Sequence, residues 1–338
     1  MHFDLTDDQK EIKRVARELL AARSPWAKVR AAAEAEGGGG AYDDALWGEL
    51  VSLGWPGIAV AEQHGGGGLG AVELVVLLEE LGYACAASPF LPTAAAAAAI
   101  QAAGSDEQRA RWLPALASGE ATAGIGTPEL AADAASAAVI VLLDGEGGAR
   151  LVDGAGASVE PIETIDPTRR YATVTAGAEG GEPLGPAAAD LIATALAAEV
   201  VGVCQRALDM TLEYVKDRRQ FGVAVGAFQA VSHRCAQMLL DTESARSTTL
   251  YAAWAAGADP ERLPEAAALA AAAAADGGRA VGASAIQAHG GIGFTWEADV
   301  HWLYKRAQLD AALLGGARRH RARLAALAAR RLAAGAVA

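Results

Sequence analysis

The first residues that could do chemistry lie in the stretch 217–222, which reads DRRQFG. Arg218 and Arg219 offer planar guanidinium groups that match phosphate oxygens two at a time, and the ring of Phe221 could stack on a purine. A hairpin tip needs polar residues and glycine, but it does not need two arginines followed by an aromatic ring. The stretch indicates a nucleotide contact. A solvated tip whose phenylalanine tucks under the helices is the other interpretation.

A second stretch with binding chemistry reads QAHGG over residues 287–291. A helix that ends in two glycines is an ordinary C-terminal stop. However, Gln287 lies one turn before the bare backbone amides of Gly290 and Gly291, and such a cluster of donors suits a pyrophosphate or the edge of an adenine. On the residues alone, both interpretations stay open.

The elements that must position the first stretch are two amphipathic helices within residues 197–254. Apolar residues recur at spacings of three and four on both sides of the tip. They are Val201, Cys204, Leu208, Leu212 and Val215 before it, and Val231, Cys235, Met238, Thr242, Ala245 and Thr249 after it. Because the link between them is short, we expect the helices to pack antiparallel, with polar residues of the first helix facing away from its stripe.

The rest of the sequence predicts further helices on either side of a small β region. Thr6 with the acids and glutamine that follow it is typical of a capped helix start, and a helix is expected from Val72 to Leu81, stopped by Gly82. The glycines at 65–68 are interpreted as a turn, because the lysine and hydroxyl residue of a P-loop are missing. Runs at 138–143, 149–152 and 171–175 predict strands.

Composition excludes several function classes. The 338 residues carry a net charge of -13, which argues against a general nucleic-acid or anionic-membrane surface. Cys85, Cys204 and Cys235 lack metal-ligand spacing, so no metal site is predicted and buried thiols in a reducing cytoplasm are expected. No run of about 18 apolar residues free of glycine and charge occurs, and the N-terminus has no apolar signal core. A cytoplasmic, mostly helical protein follows.

The motifs DRRQFG, AFQAVSHRCA and QAHGGIGFTWE, in this order, resemble the acyl-CoA dehydrogenase family, as do FDLTDDQ, LGWPGIAVAEQHGGGGLG and DPTRRYATV earlier in the chain. The resemblance implies a mostly α fold with an N-terminal helical domain over 1–118, a reduced middle β domain over 119–186 and a C-terminal four-helix bundle over 187–338. It also implies FAD, whose adenosine-pyrophosphate half reaches a neighbouring subunit. The residues that it assigns to that contact are Arg218, Gln220, Phe221, Gln229, Gln287, Gly290 and Gly291.

The implied reaction is the α,β-dehydrogenation of an acyl-CoA thioester, in which a glutamate removes the α-proton and hydride passes to the flavin. The first place where the resemblance expects that glutamate reads Leu313-Leu314-Gly315-Gly316-Ala317, and the second falls at Ile192. Neither can accept a proton, so no catalytic residue is assigned. Glu199, seven residues after Ile192, is on the same helix face about two turns away, and is either a substitute base or a structural acid.

A second difference from the family's sequence pattern agrees with the missing glutamate. The family's strand ending in Thr-Glu-Pro and followed by Gly-Ser-Asp, which holds the flavin ring, is replaced here by residues 124–129, GIGTPE. The pattern resembles the short subunit of heteromeric α2β2 actinobacterial enzymes that act on bulky, steroid-type acyl-CoA thioesters. Implied partners are a second acyl-CoA dehydrogenase subunit that supplies the base, the acyl-CoA, and an electron-transfer flavoprotein or similar acceptor. The alternatives are a self-sufficient homo-oligomer using Glu199, and a non-catalytic scaffold or CoA-ester binding subunit.

The basic cluster near the C-terminus is interpreted as a solvated or interfacial helix face, with a grip on CoA phosphates as the less favoured alternative. Its members are Arg318, Arg319, His320, Arg321 and Arg323.

Overall fold

The computed structural model of the chain describes residues 4–35, 42–144, 147–177 and 180–335. The helices are α1 (Asp7–Arg23), α2 (Trp26–Ala33), α3 (Asp44–Ser52), α4 (Ala71–Tyr83), α5 (Phe90–Ala103), α6 (Asp106–Ala117), α7 (Ala187–Asp217), α8 (Gln229–Ala258), α9 (Leu263–His289), α10 (Val300–Leu313) and α11 (Gly316–Gly335). The strands are β1 (Ala123–Thr127), β2 (Leu130–Ala132), β3 (Val139–Leu143), β4 (Ala149–Asp153), β5 (Ser158–Ile162), β6 (Tyr171–Thr175), β7 (Glu182–Pro183), β8 (Arg219–Gln220) and β9 (Val223–Ala224).

The predicted mostly α fold around a central sheet is confirmed. The capped start of α1 is present, since the Thr6 hydroxyl accepts from the amide of Gln9 while the Gln9 side chain accepts from the amide of Thr6. One continuous apolar core joins the N-terminal helices, one face of the sheet and the C-terminal helices. The division into three domains therefore stays a prediction.

The sheet has the strand order β5-β6-β2-β1-β3-β4-β7. Of its pairs, β1 with β3 is parallel and the others are antiparallel. The three strands expected from the sequence correspond to β3, β4 and β6. Side chains alternate between two faces, so Ile125, Val139 and Val141 join the main core, whereas Ile140 and Val152 join a smaller core on the other face.

Helix α7 runs through the middle of the helical part. The expected division between an apolar stripe and a polar back holds only for its C-terminal half, where Glu213 and Lys216 are exposed; residues 188–204 are almost all buried. By length and composition α7 could cross a membrane, but 89% of its most apolar window is buried inside the protein. Helix α7 is therefore a core helix in this fold.

Helices α4 and α7 cross at two glycines. A Cβ on Gly202 would lie 1.8 Å from the carbonyl oxygen of Glu79, and a Cβ on Gly82 would lie 2.1 Å from that of Glu199. The sequence expects Gly82, together with Ser88 and Pro89, to stop α4, and the helix ends between them at Tyr83. Gly82 is required by the approach of the second backbone, which a pattern along one helix does not report.

The crossing predicts that Gly202→Ala destabilises the fold although alanine is the better helix former. We expect the inserted methyl to cost about 1–3 kcal/mol of unfolding free energy. The control is Gly257→Ala in α8, where a Cβ meets nothing within 4 Å and about 0.5–1 kcal/mol should be gained. Urea denaturation of both variants measures the difference, and equal behaviour would contradict the close crossing.

Candidate functional site

The first candidate surface is the hairpin between α7 and α8, which we call the hairpin arm (Arg218, Gln220, Phe221 and Gln229). The amide of Arg218 donates to the carbonyl of Tyr214 at 2.9 Å and closes α7. Strands β8 and β9 then pair over two residues each, and Gln229 begins α8. All four side chains of the hairpin arm are exposed.

Phe221 is held in an unusual conformation at the tip. Its φ is +52°, in the left-handed region that residues with a Cβ rarely adopt, and its side chain is 93% exposed. The ring touches Phe228 edge-to-face with centroids 6.2 Å apart. A phenylalanine tucked under the helices is therefore not what the chain builds. Backbone strain at an exposed aromatic ring is typical of a surface shaped for a partner or ligand.

The second candidate surface is the end of α9, which we call the glycine arm (Gln287, Gly290 and Gly291). Gly290 has φ +66° and ends the helix, as the sequence predicts. A Cβ built on Gly290 or on Gly291 meets nothing within 4 Å, so both backbones face open space. Gln287 is exposed on the last turn of α9. The amide of Gly290 donates to the carbonyl oxygen of Gln287, so the groups of this arm that face a ligand are the Gln287 side chain and the open Cα faces of the two glycines.

The fold places the two arms at one end of the bundle. Helices α7 and α9 both pack on α8 and on each other, and because α8 runs back between them, α7 and α9 end on the same side. There the ring of Tyr214 stacks on the ring of His289, with centroids 4.4 Å apart and an interplanar angle of 21°. Neither stretch of sequence indicated this contact.

The positions where the resemblance expects a base are apolar and buried. Ile192 is 0% exposed, Leu313 is 2% exposed and Leu314 is 3% exposed. A cavity of about 430 Å3 lies beside them. It is lined by apolar side chains such as Leu143, Leu196 and Leu327 and by the arginines of α11. None of its described lining residues is a carboxylate.

Glu199, the proposed substitute base, lies instead in a buried ionic cluster. Its Oε1 accepts from Arg169 at 2.5 Å and from Arg306 at 3.0 Å. Arg306 also donates to Asp166 at 2.6 Å, and Arg169 donates to Asp310 at 3.1 Å. All five side chains are less than 5% exposed. The cluster joins the loop before β6 to α7 and α10.

The charges of this ionic cluster shift the pKa values of its acids. Although burial alone would raise it, Arg169 and Arg306 hold the pKa of Glu199 below its usual value. Burial and the neighbouring charge of Glu199 raise the pKa of Asp310 well above its usual value. Two guanidinium groups thus face three carboxyl groups, those of Asp166, Glu199 and Asp310. A carboxylate so stabilised is a weak proton acceptor, and this environment gives Glu199 a structural role.

The basic residues of α11 contact acidic and carbonyl groups of this chain. Arg321 pairs with Asp276 and Arg323 with the buried Asp190, while the Nε2 atom of His320 lies 2.6 Å from the carbonyl oxygen of Leu314. The interpretation of this cluster as a solvated or interfacial helix face stays a prediction.

Strand β1, which in the family pattern leads to the flavin ring, is followed directly by a tight turn. Thr127 at the end of β1 pairs with Leu130 at the start of β2, so only Pro128 and Glu129 form the turn. The Gly-Ser-Asp extension of the family pattern has no counterpart in this turn.

Comparison with known proteins agrees with the motifs and the fold. The model of the acyl-CoA dehydrogenase N-terminal domain matches residues 6–120, and that of the C-terminal domain matches residues 190–329. The chain belongs to the acyl-CoA dehydrogenase family. These enzymes are flavin-dependent oxidoreductases that use FAD.

Relatives within the acyl-CoA dehydrogenase family include subunits of complexes. The chain is 37% identical to the acyl-CoA dehydrogenase IpdE2 of Mycolicibacterium smegmatis, over 94% of this chain and 98% of that protein. A structure of the Tcur3481-Tcur3483 steroid ACAD superposes with a TM-score of 0.84 at 32% identity, covering 97% of this chain and 99% of that one. The ChsE4-ChsE5 complex from Mycobacterium tuberculosis gives a TM-score of 0.84 at 26% identity with the same coverage.

The two arms fit the nucleotide half of FAD by their chemistry. An exposed guanidinium at Arg218 suits phosphate oxygens, an exposed ring at Phe221 suits an adenine, and the open backbones of Gly290 and Gly291 allow close approach. The side chains of Ile192, Leu313 and Leu314 cannot accept a proton.

Another buried acid makes stability depend on pH. Burial raises the pKa of Asp133 to about 6 against the opposing charge of Arg169, whereas in an unfolded chain an aspartate titrates at about 3.9. Between these values the folded state binds the extra proton, so stability falls as pH rises.

We expect Asp133→Asn to gain stability relative to the wild type between pH 4 and pH 7, on the order of 2–3 kcal/mol. Urea denaturation at both pH values measures this, with the exposed Asp8→Asn as the control that should follow the wild type. A constant difference between Asp133→Asn and the wild type would show that this carboxyl group is ionised in both states.

Proposed function

We propose that this chain is the subunit of a heteromeric FAD-dependent acyl-CoA dehydrogenase that lends the adenosine-pyrophosphate half of the flavin site to a partner subunit. The partner supplies the flavin-ring site and the catalytic base. The observation that carries the proposal is the pairing of two exposed arms of nucleotide-binding chemistry with buried leucine and isoleucine at both expected base positions.

Distance within the chain supports a shared site. Ile192 and Asp217 are separated by 25 helical positions of α7, which at 1.5 Å per residue is about 38 Å along the axis. This separation supports a flavin whose nucleotide end contacts the hairpin arm of this chain while its ring is held by another subunit.

The roles of individual residues follow from their chemistry. FAD, when bound, accepts the β-hydrogen of the acyl group as hydride. Arg218 would pair with pyrophosphate oxygens, Phe221 would cover the adenine, and Gln220, Gln229 and Gln287 would donate or accept at its polar edges. The open Cα faces of Gly290 and Gly291 would let the phosphates approach the backbone closely.

Substrate and assembly are proposed from the relatives. The printed names of two solved relatives describe a steroid ACAD and a two-protein complex, so we propose a bulky, steroid-type acyl-CoA and an α2β2 assembly. We also propose an electron-transfer flavoprotein or similar acceptor, and a cytoplasmic location consistent with the three buried free cysteines.

Expression with and without the partner tests the proposal. The chain produced alone should be colourless and inactive, because it holds neither a flavin-ring site nor a base. Co-expression with a second acyl-CoA dehydrogenase chain that carries the base should give a yellow complex whose flavin is bleached by an acyl-CoA. Absorbance and size-exclusion chromatography measure both. Yellow, active protein from this chain alone would contradict the proposal.

The same complex tests whether the catalytic base comes from the partner subunit or is Glu199 of this chain. Glu199→Gln in this chain should keep turnover within about twofold of the wild type, because Glu199 is a buried ion partner and does not touch substrate. A general base would contribute a factor of about 10²–10⁴. Steady-state dehydrogenation measures the change, with bound flavin determined in parallel. A loss of turnover with flavin retained would favour the homo-oligomeric alternative.

A further inference from the structure

The stack between Tyr214 and His289 joins the two arms. Tyr214 lies one turn before Arg218, whose amide donates to the Tyr214 carbonyl. His289 lies between Gln287 and Gly290 on α9. The rings lie 4.4 Å apart with an interplanar angle of 21°, so the contact is close and nearly parallel.

His289 is the fixed member of the pair. Its Nδ1–H donates to the carbonyl oxygen of Ala285 at 2.8 Å, the side chain is 7% exposed, and burial lowers its pKa. The next turn folds over it, since a Cβ on Gly293 would lie 3.1 Å from the Cβ of His289 and 2.5 Å from the carbonyl oxygen of Ile286. His289 therefore has little freedom to move.

The hairpin arm is much less constrained by its own contacts. Strands β8 and β9 pair Arg219 with Ala224 and Gln220 with Val223, and such a short ladder is marginal in water. Phe221 is almost fully exposed. An exposed segment with few buried contacts opens readily unless something anchors its base. Tyr214, stacked on a rigid imidazole, provides that anchor.

We infer that Tyr214 and His289 are positioning residues that set the spacing between the hairpin arm and the glycine arm and thereby the affinity for FAD. The inference rests on the proposed function, because it assigns the spacing a role in flavin binding. Neither ring needs to touch the flavin. A pyrophosphate that is held from both sides binds well only when the two donor groups stay at a fixed separation.

The first measurement uses the isolated chain and does not depend on flavin. Arg218 and Arg219 are exposed trypsin sites, and the rate of cleavage reports the fraction of time the hairpin is open. Tyr214→Leu, which keeps apolar bulk but removes the stack, should raise cleavage there about two- to tenfold, as expected for one aromatic pair. Tyr214→Phe keeps the stack and should leave the rate unchanged. Mass spectrometry identifies the cut.

The second measurement uses the assembled complex. Titration of the flavin-free complex with FAD should show a dissociation constant raised about two- to tenfold for Tyr214→Leu and unchanged for Tyr214→Phe. His289→Gln breaks the stack from the other side and should act alike. Because both act through one contact, the double variant should be no worse than the worse single variant.

The outcomes separate the inference from the proposed function. Arg218→Ala, with Arg219→Ala as the matched control, tests the nucleotide contact itself: if FAD affinity is unaffected by Arg218→Ala, the proposed function fails. If Arg218→Ala weakens FAD but Tyr214→Leu changes neither cleavage nor affinity, the positioning role is overturned. Increased cleavage with unchanged affinity also overturns it, and additive effects of the two stack variants do so as well.

Discussion

The buried guanidinium group of Arg306 fixes how the central elements of the fold pack against one another. Arg306 is 0% exposed, and its nitrogens donate to Asp166 and Thr168 in the loop before β6 and to Glu199 in α7. Removing an ion from water costs several kcal/mol even after relaxation, and the cost is offset only when every donor finds an oppositely charged or polar partner. The sheet, α7 and α10 can therefore pack in one relative arrangement, the one that completes this set of contacts.

The ionic cluster shows how a buried acid on α7 serves packing. The charge of Glu199, seven residues after Ile192, is neutralised by Arg169 and Arg306. Apolar side chains occupy the positions where a base was expected, and they add to the core. The far end of α7 leads instead into a hairpin whose polar and aromatic side chains are exposed. The two ends of one helix therefore differ sharply in burial.

The features that could be predicted from the sequence are those that depend on residues close together in the chain. The cap at Thr6, the exposed tip at 217–222 and the strands β3, β4 and β6 follow from spacing and turn residues. The close approach at Gly82 could not be predicted because it depends on a backbone from another helix. Strand β5 was missed because its burial alternates over 158–160 only and the alternation breaks at Pro161. The residue types of the hairpin arm and the glycine arm could be recognised in the sequence. That the two arms lie close together could not, because this depends on how α7, α8 and α9 pack.

The two-residue turn at Pro128 and Glu129 has a consequence for the history of such chains. A lost side chain can return by one nucleotide change, whereas a lost loop returns only by insertion in register between two paired strands. Recovering an independent enzyme from this sequence would need that insertion together with an acid at a packed apolar position, and each step alone brings no benefit. Under the proposed heteromeric function, dependence on a second polypeptide would therefore be hard to reverse.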